Sequence, residues 1–461
     1  MLRTLGDQPT LWESLLPEGV LVMSPELARV DALLDDPRFF DPFRAHFHVV
    51  LGRPSIPIET YLRLMFLKYR YRLGYETLCA EVADSISWQR FCRIPLGGRV
   101  PHPTTLMKIT TRCGSGTVDA LNETLIAKAV EARLVKTNRV RADTTVVEAD
   151  VKYPTDSGLL TRAIGKAARL VDRIKASGAA ARTGVVDHVG ESRRGAHEIG
   201  AWLRRRTGQA RDEVLAITGH IAVLAEETMA DAAKVVANSR AFLRRYPDTP
   251  KAGRITATIN ELDTLIERAG KIIDQTRRRL AGDTPAGSTR LVSLHEPDAR
   301  PIMKGRLGRP VEFGFKAQVV DNEDGLILDH SVEIGNPTDA PQLVPAIKRV
   351  ARRCGRPPDI VTADRGYGKA SVDQALRDEV GVGFVAIPRQ GTPTEKRRLE
   401  MDTPEFREQV RWRTGAEGRI ACLKRQQGWN RSRLTGIQGA RTWCGHGVLA
   451  HNLTKLARLQ T

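Results

Sequence analysis

Strand-like patterning in this chain starts once, vanishes, and resumes much later. Residues 138–151, NRVRADTTVVEADV, are rich in Val and Thr and alternate as a strand does. The next such stretch is VEFGFKAQVVDNEDGLILDHSVEIG, two β-rich runs joined by Asn322-Glu323-Asp324-Gly325, a hairpin signal. Between them, residues 158–290 repeat apolar positions at helical spacing, with a break at Tyr246-Pro247-Asp248-Thr249-Pro250. After the hairpin, residues 337–354 predict a helix and DIVTADRG a buried strand ending in a loop. SVDQALRDEV then predicts a helix and VGFVAIPR a last strand. Thr403-Pro404 reads as an N-cap followed by the first helical residue of a helix running through Gln427. This order describes a mixed α/β sheet interrupted after its first strand by a large helical insertion.

Upstream, residues 55–112 read as short helices. Ile58 to Tyr71 is apolar at helical spacing, Gly74 interrupts, Glu76 to Ala83 resumes, and Pro101 and Pro103 precede a start at Thr104. The boundaries that follow are an all-α N-terminal domain over 1–135, a sheet domain over 136–157 and 291–461, and the insertion over 158–290. The segment IPIETYLRLMFLKYRYRLGYETL mixes Arg63, Lys68, Arg70 and Arg72 with four tyrosines. Two readings fit it equally: a basic, aromatic surface facing phosphates, or long cationic side chains snorkelling around an ordinary helical core.

Charge narrows the class of partner. The 461 residues hold 72 Lys and Arg against 54 Asp and Glu, a formal charge of +18, which favours a polyanionic partner such as nucleic acid. No apolar run approaches a membrane span, and the N-terminus lacks the basic-then-apolar layout of a secretion signal, so an intracellular protein is expected. Six scattered cysteines without a C-x-x-C pair indicate neither a zinc finger nor a disulfide framework. Gly165-Lys166 and Gly368-Lys369 lack the upstream glycine of a Walker A loop, so ATP-driven chemistry has no support. The basic clusters Arg204 to Arg206, Arg244 to Arg245 and Arg277 to Arg279 of the insertion read first as solvated helix faces.

The charge is uneven in a telling way. From Gln409 to the end there are ten Lys or Arg and one carboxylate, Glu417. On a helix Arg413, at i−4, and Lys424 fall about 40° and 20° from Glu417, so one stripe presents Arg, Glu and Lys together. Alone, that is an ordinary i,i+4 ion pair on a solvated face, of a few tenths of a kcal/mol. Two other carboxylates change the balance. Asp143 lies inside an apolar strand and Asp364 at the carboxyl end of a buried one, where α/β sheets place ligands. A buried carboxylate needs donors, a cation or a metal. Three carboxylates from separate elements are hard oxygen ligands suited to Mg²⁺ or Mn²⁺, and a pair of such ions about 3.5–4 Å apart serves phosphodiester chemistry.

These residues carry a resemblance. Arg413, Glu417 and Lys424 match the spacing of the signature on the last catalytic helix of DDE transposases of bacterial insertion sequences, with Val410 where that signature has Tyr. Asp143 in RADTTVVEAD resembles their first catalytic Asp, and Asp364 in VTADRGYGK the second, with Gly366 and Tyr367 continuing it. PDARPIMKGRLGRPVEFGFKAQVV looks like the link into the second strand, GVLAHNLTKLARL like the closing helix, and residues 51–113 like the N-terminal transposase domain. The resemblance implies a ribonuclease H-like catalytic domain that binds terminal inverted repeats, cuts the ends and joins the 3′-hydroxyls to target DNA. It implies Asp143, Asp364 and Glu417 as ligands of Mg²⁺, with Mn²⁺ as substitute, and Arg413 and Lys424 on transposon-end phosphates. It further implies a homodimer or larger assembly on DNA, in the bacterial cytoplasm with the nucleoid. The alternatives are a nuclease of the same fold without strand transfer, and a DNA-binding regulator derived from an inactivated transposase. The complete acidic set argues against the regulator.

Other acids compete less well. Strand alternation puts Glu148 on the face opposite Asp143, Asp150 follows closely, Asp298 sits in a Pro-containing loop, and Asp339 reads as a helix cap. His46 and His48 show no metal-site spacing.

Overall fold

The computed structural model describes residues 1–4, 19, 22–205, 207–306 and 309–459. Most of the N-terminal stretch tested for a secretion signal lies outside the described residues, as do Arg206 of the first basic cluster and Leu307-Gly308 of the link before the hairpin.

In chain order the helices α1 (Pro25–Leu34), α2 (Asp41–Arg44), α3 (Ile58–Arg70), α4 (Tyr75–Asp84), α5 (Ile86–Phe91) and α6 (Pro103–Glu131) precede strand β1 (Arg139–Glu148). Then come α7 (Asp156–Ala176), α8 (Val189–Trp202), α9 (Gly208–Arg245), α10 (Ala252–Leu280), β2 (Arg300–Arg306), β3 (Arg309–Asn322) and β4 (Ile327–Ile334). The chain continues through α11 (Ala340–Cys354), β5 (Ile360–Ala363), α12 (Ala370–Asp378), β6 (Phe384–Ala386), α13 (Glu395–Asp402), α14 (Pro404–Arg413), α15 (Gly415–Gln426) and α16 (Gly436–Leu459). It is a mixed α/β protein with a helical N-terminal region and a mixed sheet. The strand at β1, the hairpin and the last two strands stand where the sequence puts them. β2 is a strand that the sequence pattern does not announce.

The chain divides into two compact units, Met1–Ala149 with Phe315–Thr461, and Asp150–Gly314. The first therefore joins the N-terminal helices to the sheet, where the sequence suggests a separate N-terminal domain. The physical reason is α16. Its residues from Thr442 to Thr454 are all buried, the polar His446, His451 and Asn452 among them. It packs on α6, α3 and α1 as well as on β4. Asn452 on α16 ties it to the sheet: its Oδ1 accepts from the Ile327 N–H at 2.9 Å and its Nδ2 donates to the Ile327 carbonyl at 2.8 Å. The amide thus replaces a missing strand partner at the start of β4.

Sheet order within this unit is β4-β3-β1-β5-β6. β3 and β4 are antiparallel and turn through Gly325 at φ +79°, a conformation that favours glycine. β1, β5 and β6 are parallel, with Ala142 level with Ala363.

The second unit is mainly helical. α7, α9 and α10 pack mutually, with α8 against α7 and α9. Their shared core is aliphatic, including Leu160, Ile164, Ile221, Leu262 and Ile272. The break from Tyr246 to Pro250 separates α9 from α10, as the two prolines require. β2 pairs with the first residues of β3 in this unit.

Candidate active site

The parallel register of β1 and β5 sets the site. Ala142 and Ala363 are paired, and the residues that follow each of them are Asp143 and Asp364. Paired positions on neighbouring parallel strands point to one face, so two carboxylates stand side by side. β5 ends at Ala363, and Asp364 caps a 3₁₀ turn through Tyr367, its Oδ1 accepting from the Gly366 N–H at 2.8 Å. A Cβ on Gly366 would lie 3.0 Å from that oxygen and 3.3 Å from Asp339 Oδ2, so the turn leaves room for acidic oxygens and little else. Tyr367 is buried beneath, its hydroxyl accepting from Gln318 Nε2 at 3.2 Å. Burial, and then the charge of Asp339, raise its pKa well above the usual tyrosine range.

Asp143 is mostly buried, and its Oδ1 accepts from the Thr144 N–H at 2.8 Å. Desolvation raises its pKa; the Thr144 hydrogen bond and Arg413 oppose this, while Asp364 and Glu417 add to it. All three carboxylates therefore share one electrostatic neighbourhood. Arg413 links two of them, with Nη1 3.6 Å from Asp143 and Nη2 3.8 Å from Glu417.

Glu417 reaches this place through an anchored helix. The sequence predicts one helix from Thr403 through Gln427, but α14 stops at Arg413 and α15 begins at Gly415. At the joint the Glu417 N–H donates to the Thr414 carbonyl at 3.2 Å, a tighter turn than α-helical. Gly415 is required because a Cβ there would run into the guanidinium of Arg141. Arg141, on β1, donates from Nε and Nη2 to Asp321 at 2.9 Å each, and from Nη1 to the Trp412 carbonyl at 2.8 Å. Arg419, two residues past Glu417, donates to the same Asp321 at 3.0 Å. Asp321 is almost fully buried. One interior carboxylate on β3 thus fixes β1, α14 and α15 together. This cluster was missed by sequence reasoning; an Asp at the end of an apolar strand, VVDN, was its one signal.

Glu417 itself is 75% exposed, in the first turn of α15, where the helix dipole favours an acid. Among the described residues no three His, Cys, Asp or Glu side chains stand close enough to hold a metal ion as they are. The donor chemistry nonetheless fits a hard divalent cation: the two aspartates are adjacent, Glu417 is within their field, and the desolvated Asp143 lacks a full counter-charge. Lys424 lies partly buried on α15, seven residues beyond Glu417.

The acids set aside behave individually. Glu148 pairs with Arg431 at 3.5 Å. Asp339 stands at the cap position of α11 but makes no side-chain cap bond; it pairs instead with Lys316 at 2.7 Å, beside the Asp364 turn.

The basic, aromatic stretch on α3 requires a correction. Arg63 is wholly buried, with its Nε 2.6 Å from Asp31 and its Nη2 2.6 Å from Asp35. Lys68 is buried with its ammonium 4.5–4.7 Å from the rings of Trp443, Tyr69 and Tyr75. Burial lowers its pKa to about 8. Arg70 pairs with Glu26 at 2.7 Å. These three cations are committed to packing and present no phosphate-facing surface. Arg72 alone is exposed, donating to the Arg425 carbonyl at 3.1 Å.

Two family models match this chain. Residues 13–112 match a transposase domain (DUF772), and residues 267–453 match a transposase DDE domain. The helical N-terminal region and the sheet with its carboxylates are therefore the two parts of a transposase. The chain belongs to the insertion-sequence transposases, with an N-terminal DUF772 domain and a DDE catalytic domain. The DDE match includes Asp364, Glu417, Arg413 and Lys424; Asp143 precedes it. No curated protein and no solved structure matches the chain. No helix among the described residues is long and apolar enough to cross a membrane.

Proposed function

We propose that this transposase binds the terminal inverted repeats of its own element, cleaves at their ends and transfers the 3′-hydroxyls to target DNA, with Asp143, Asp364 and Glu417 as its catalytic carboxylates. The observation that carries the reading is the parallel register that sets Asp143 beside Asp364, with Arg413 bridging to Glu417. We read the sheet as ribonuclease H-like, with the order β4-β3-β1-β5-β6 in support.

The three carboxylates would hold Mg²⁺, with Mn²⁺ as substitute. The bound ions supply activation of water or a 3′-hydroxyl and stabilisation of the leaving oxygen. This chain's residues do the rest. The Asp321 cluster holds α15 at a fixed distance from β1. Arg413 balances Asp143 and Glu417 and is placed to meet a DNA phosphate, and we assign Lys424 the same role. Two ends must be handled together, so the working form is a homodimer or larger assembly, acting in the cytoplasm on nucleoid DNA.

Asp143→Ala, Asp364→Ala and Glu417→Gln are each expected to abolish Mg²⁺-dependent cleavage of the DNA flanking the gene. Binding of that DNA in EDTA should persist. Normal cleavage by any one variant removes that residue from the site. Cleavage without joined products in a plasmid assay would leave a nuclease, and binding without cleavage by the wild type a regulator.

A further inference from the structure

We propose that a basic cleft in the N-terminal helices, distinct from α3's buried cations, receives the phosphate backbone of duplex DNA. The cleft, of about 1230 Å³, lies between residues 53–57, α4, the loop over residues 93–103 and the first turns of α6. Arg53, Arg99, Lys108 and Arg112 line it and are all exposed, and no Asp or Glu is among its lining residues.

The grouping of these cations around one concavity without an acidic residue carries the argument. Some exposed arginines of these helices are neutralised nearby, Arg38 by Asp36 and Glu131 and Arg44 by Asp41, whereas Arg72 meets only the Arg425 carbonyl. Two further cations line the cleft, Arg3 and Arg93, and Arg93 is neutralised by Asp35. Among the described residues Arg53, Arg99, Lys108 and Arg112 make no ion pair, and of these four only Arg112 has a ring contact, over Phe47 at 5.2 Å. Four unneutralised cations around one concavity form a positive field that isolated surface lysines do not.

The local structure holds them there. Gly97, at φ +74°, and Gly98, whose Cβ would meet the Pro95 carbonyl at 2.7 Å, make the tight turn that carries Arg99 to the rim. Pro103 starts α6 after His102, whose Nδ1 accepts from the Thr104 N–H, so the positive end of the first segment of α6, which runs to a kink at Gly114, opens on the same cleft. Lys108 and Arg112 follow four residues apart on one face of that helix. Ile94 and Ile109 form a buried apolar floor, which focuses the field outward. An extended polyanion meets these demands: the cations are spread around the rim, where a single small anion would reach only some of them.

The inference rests on the transposase reading for the choice of DNA, and its test separates the two. The full chain is titrated in EDTA with a fluorescent duplex of the DNA flanking the gene, over about 50–200 mM KCl. Each lost phosphate contact lowers the logarithmic salt slope by about 0.9. Arg99→Gln with Lys108→Gln should therefore lower it by about 1.8, and so should Arg53→Gln with Arg112→Gln. Over that fourfold salt range the wild type then loses roughly tenfold more affinity than either pair. The charge-retaining pair Arg99→Lys with Lys108→Arg should restore the wild-type slope, which a folding defect would not. Unchanged slopes in both Gln pairs overturn the proposal. Preferential displacement of the duplex by single-stranded RNA of equal length overturns the assignment to DNA. A wild type that binds through the cleft but never cleaves would sink the catalytic reading and leave the cleft standing.

Discussion

The two units treat charge in opposite ways. The helical unit keeps most of its ions outside: Lys166 pairs with Glu261, Arg240 with Asp263 and Arg277 with Glu226, all substantially exposed, over an aliphatic interior. Asp156, held by Arg279 and Arg290, is its clearest buried exception. The sheet unit buries ions throughout. Arg63, Lys68, Arg141, Asp321, Asp329 and Arg397 are all nearly inaccessible, and so are His446 and His451. Buried ion pairs are poor stabilisers, since desolvation offsets their attraction, but they tolerate little displacement. On the proposed function, the sheet unit is where carboxylates from β1, the end of β5 and α15 must hold their mutual positions. Its interior charges are the means, and the contrast predicts where each unit is vulnerable.

The largest difference should appear in acid. Burial lowers the pKa of His330 to about 4 and of His446 and His451 to about 3, all three in the sheet unit. Unfolded, each takes a proton near pH 6.5, whereas the folded unit refuses it until pH 4 or below. Their stabilisation is thus present above pH 6.5 and is lost as pH falls towards 4, at most on the order of 3 kcal/mol each. Hydrogen exchange at pH 7 and near pH 4.5 should show protection collapsing in β4 and α16 while α9 and α10 keep theirs. Earlier collapse of the helical unit would break the comparison.

Next comes Asp321→Ala, which leaves the buried Arg141 and the partly buried Arg419 without their carboxylate. A loss of about 3–5 kcal/mol is expected in urea unfolding of the sheet unit. Cleavage should fall with it, because α15 loses its tie to β1. A loss below 1 kcal/mol would mean that packing, not charge, places Glu417.

Much of this was legible in the residues, for reasons that also explain the misses. Alternation exposed β1 and the hairpin, and helical spacing exposed the insertion, because each pattern is local. Asp143, Asp364 and Glu417 stood out as charges where their surroundings argued against charge. β2 was hidden because RPIMKGR has no alternation; its strand character comes from pairing with β3. The joint at Thr414 was hidden because Gly415 answers to Arg141, far away in sequence. On α3 the pattern of Arg and Tyr was the same for a DNA surface and for a core. The decision lay with Asp31, Asp35 and Trp443, which no local window contains.

Lys68 offers a smaller test of the same contrast. Its ammonium is desolvated among three rings, so the folded state gives up the proton near pH 8 whereas the unfolded chain holds it to about 10.4. Wild-type stability should rise between pH 8 and 10, on the order of 1–3 kcal/mol once cation–π contacts offset part of the burial cost. Lys68→Met lacks this gain, so the difference between their urea midpoints should shift in favour of wild type across that range. Parallel pH profiles would show that the ammonium is solvated.

The smallest effect belongs to the helical unit's surface. Glu261 on α10 lies 2.9 Å from Lys166 and 3.8 Å from Arg173, both on α7. Its pKa is lowered chiefly by the Lys166 hydrogen bond. With both sides of the bridge open to water, screening leaves it little net worth, and Glu261→Gln should change stability by no more than about 0.5 kcal/mol. That small difference should vanish near 1 M salt, where the screening length is about 3 Å. If Glu261→Gln instead costs as much as Asp321→Ala, surface ions hold the helical unit as firmly as interior ions hold the sheet. The division of labour between the two units would then fail at its weakest point.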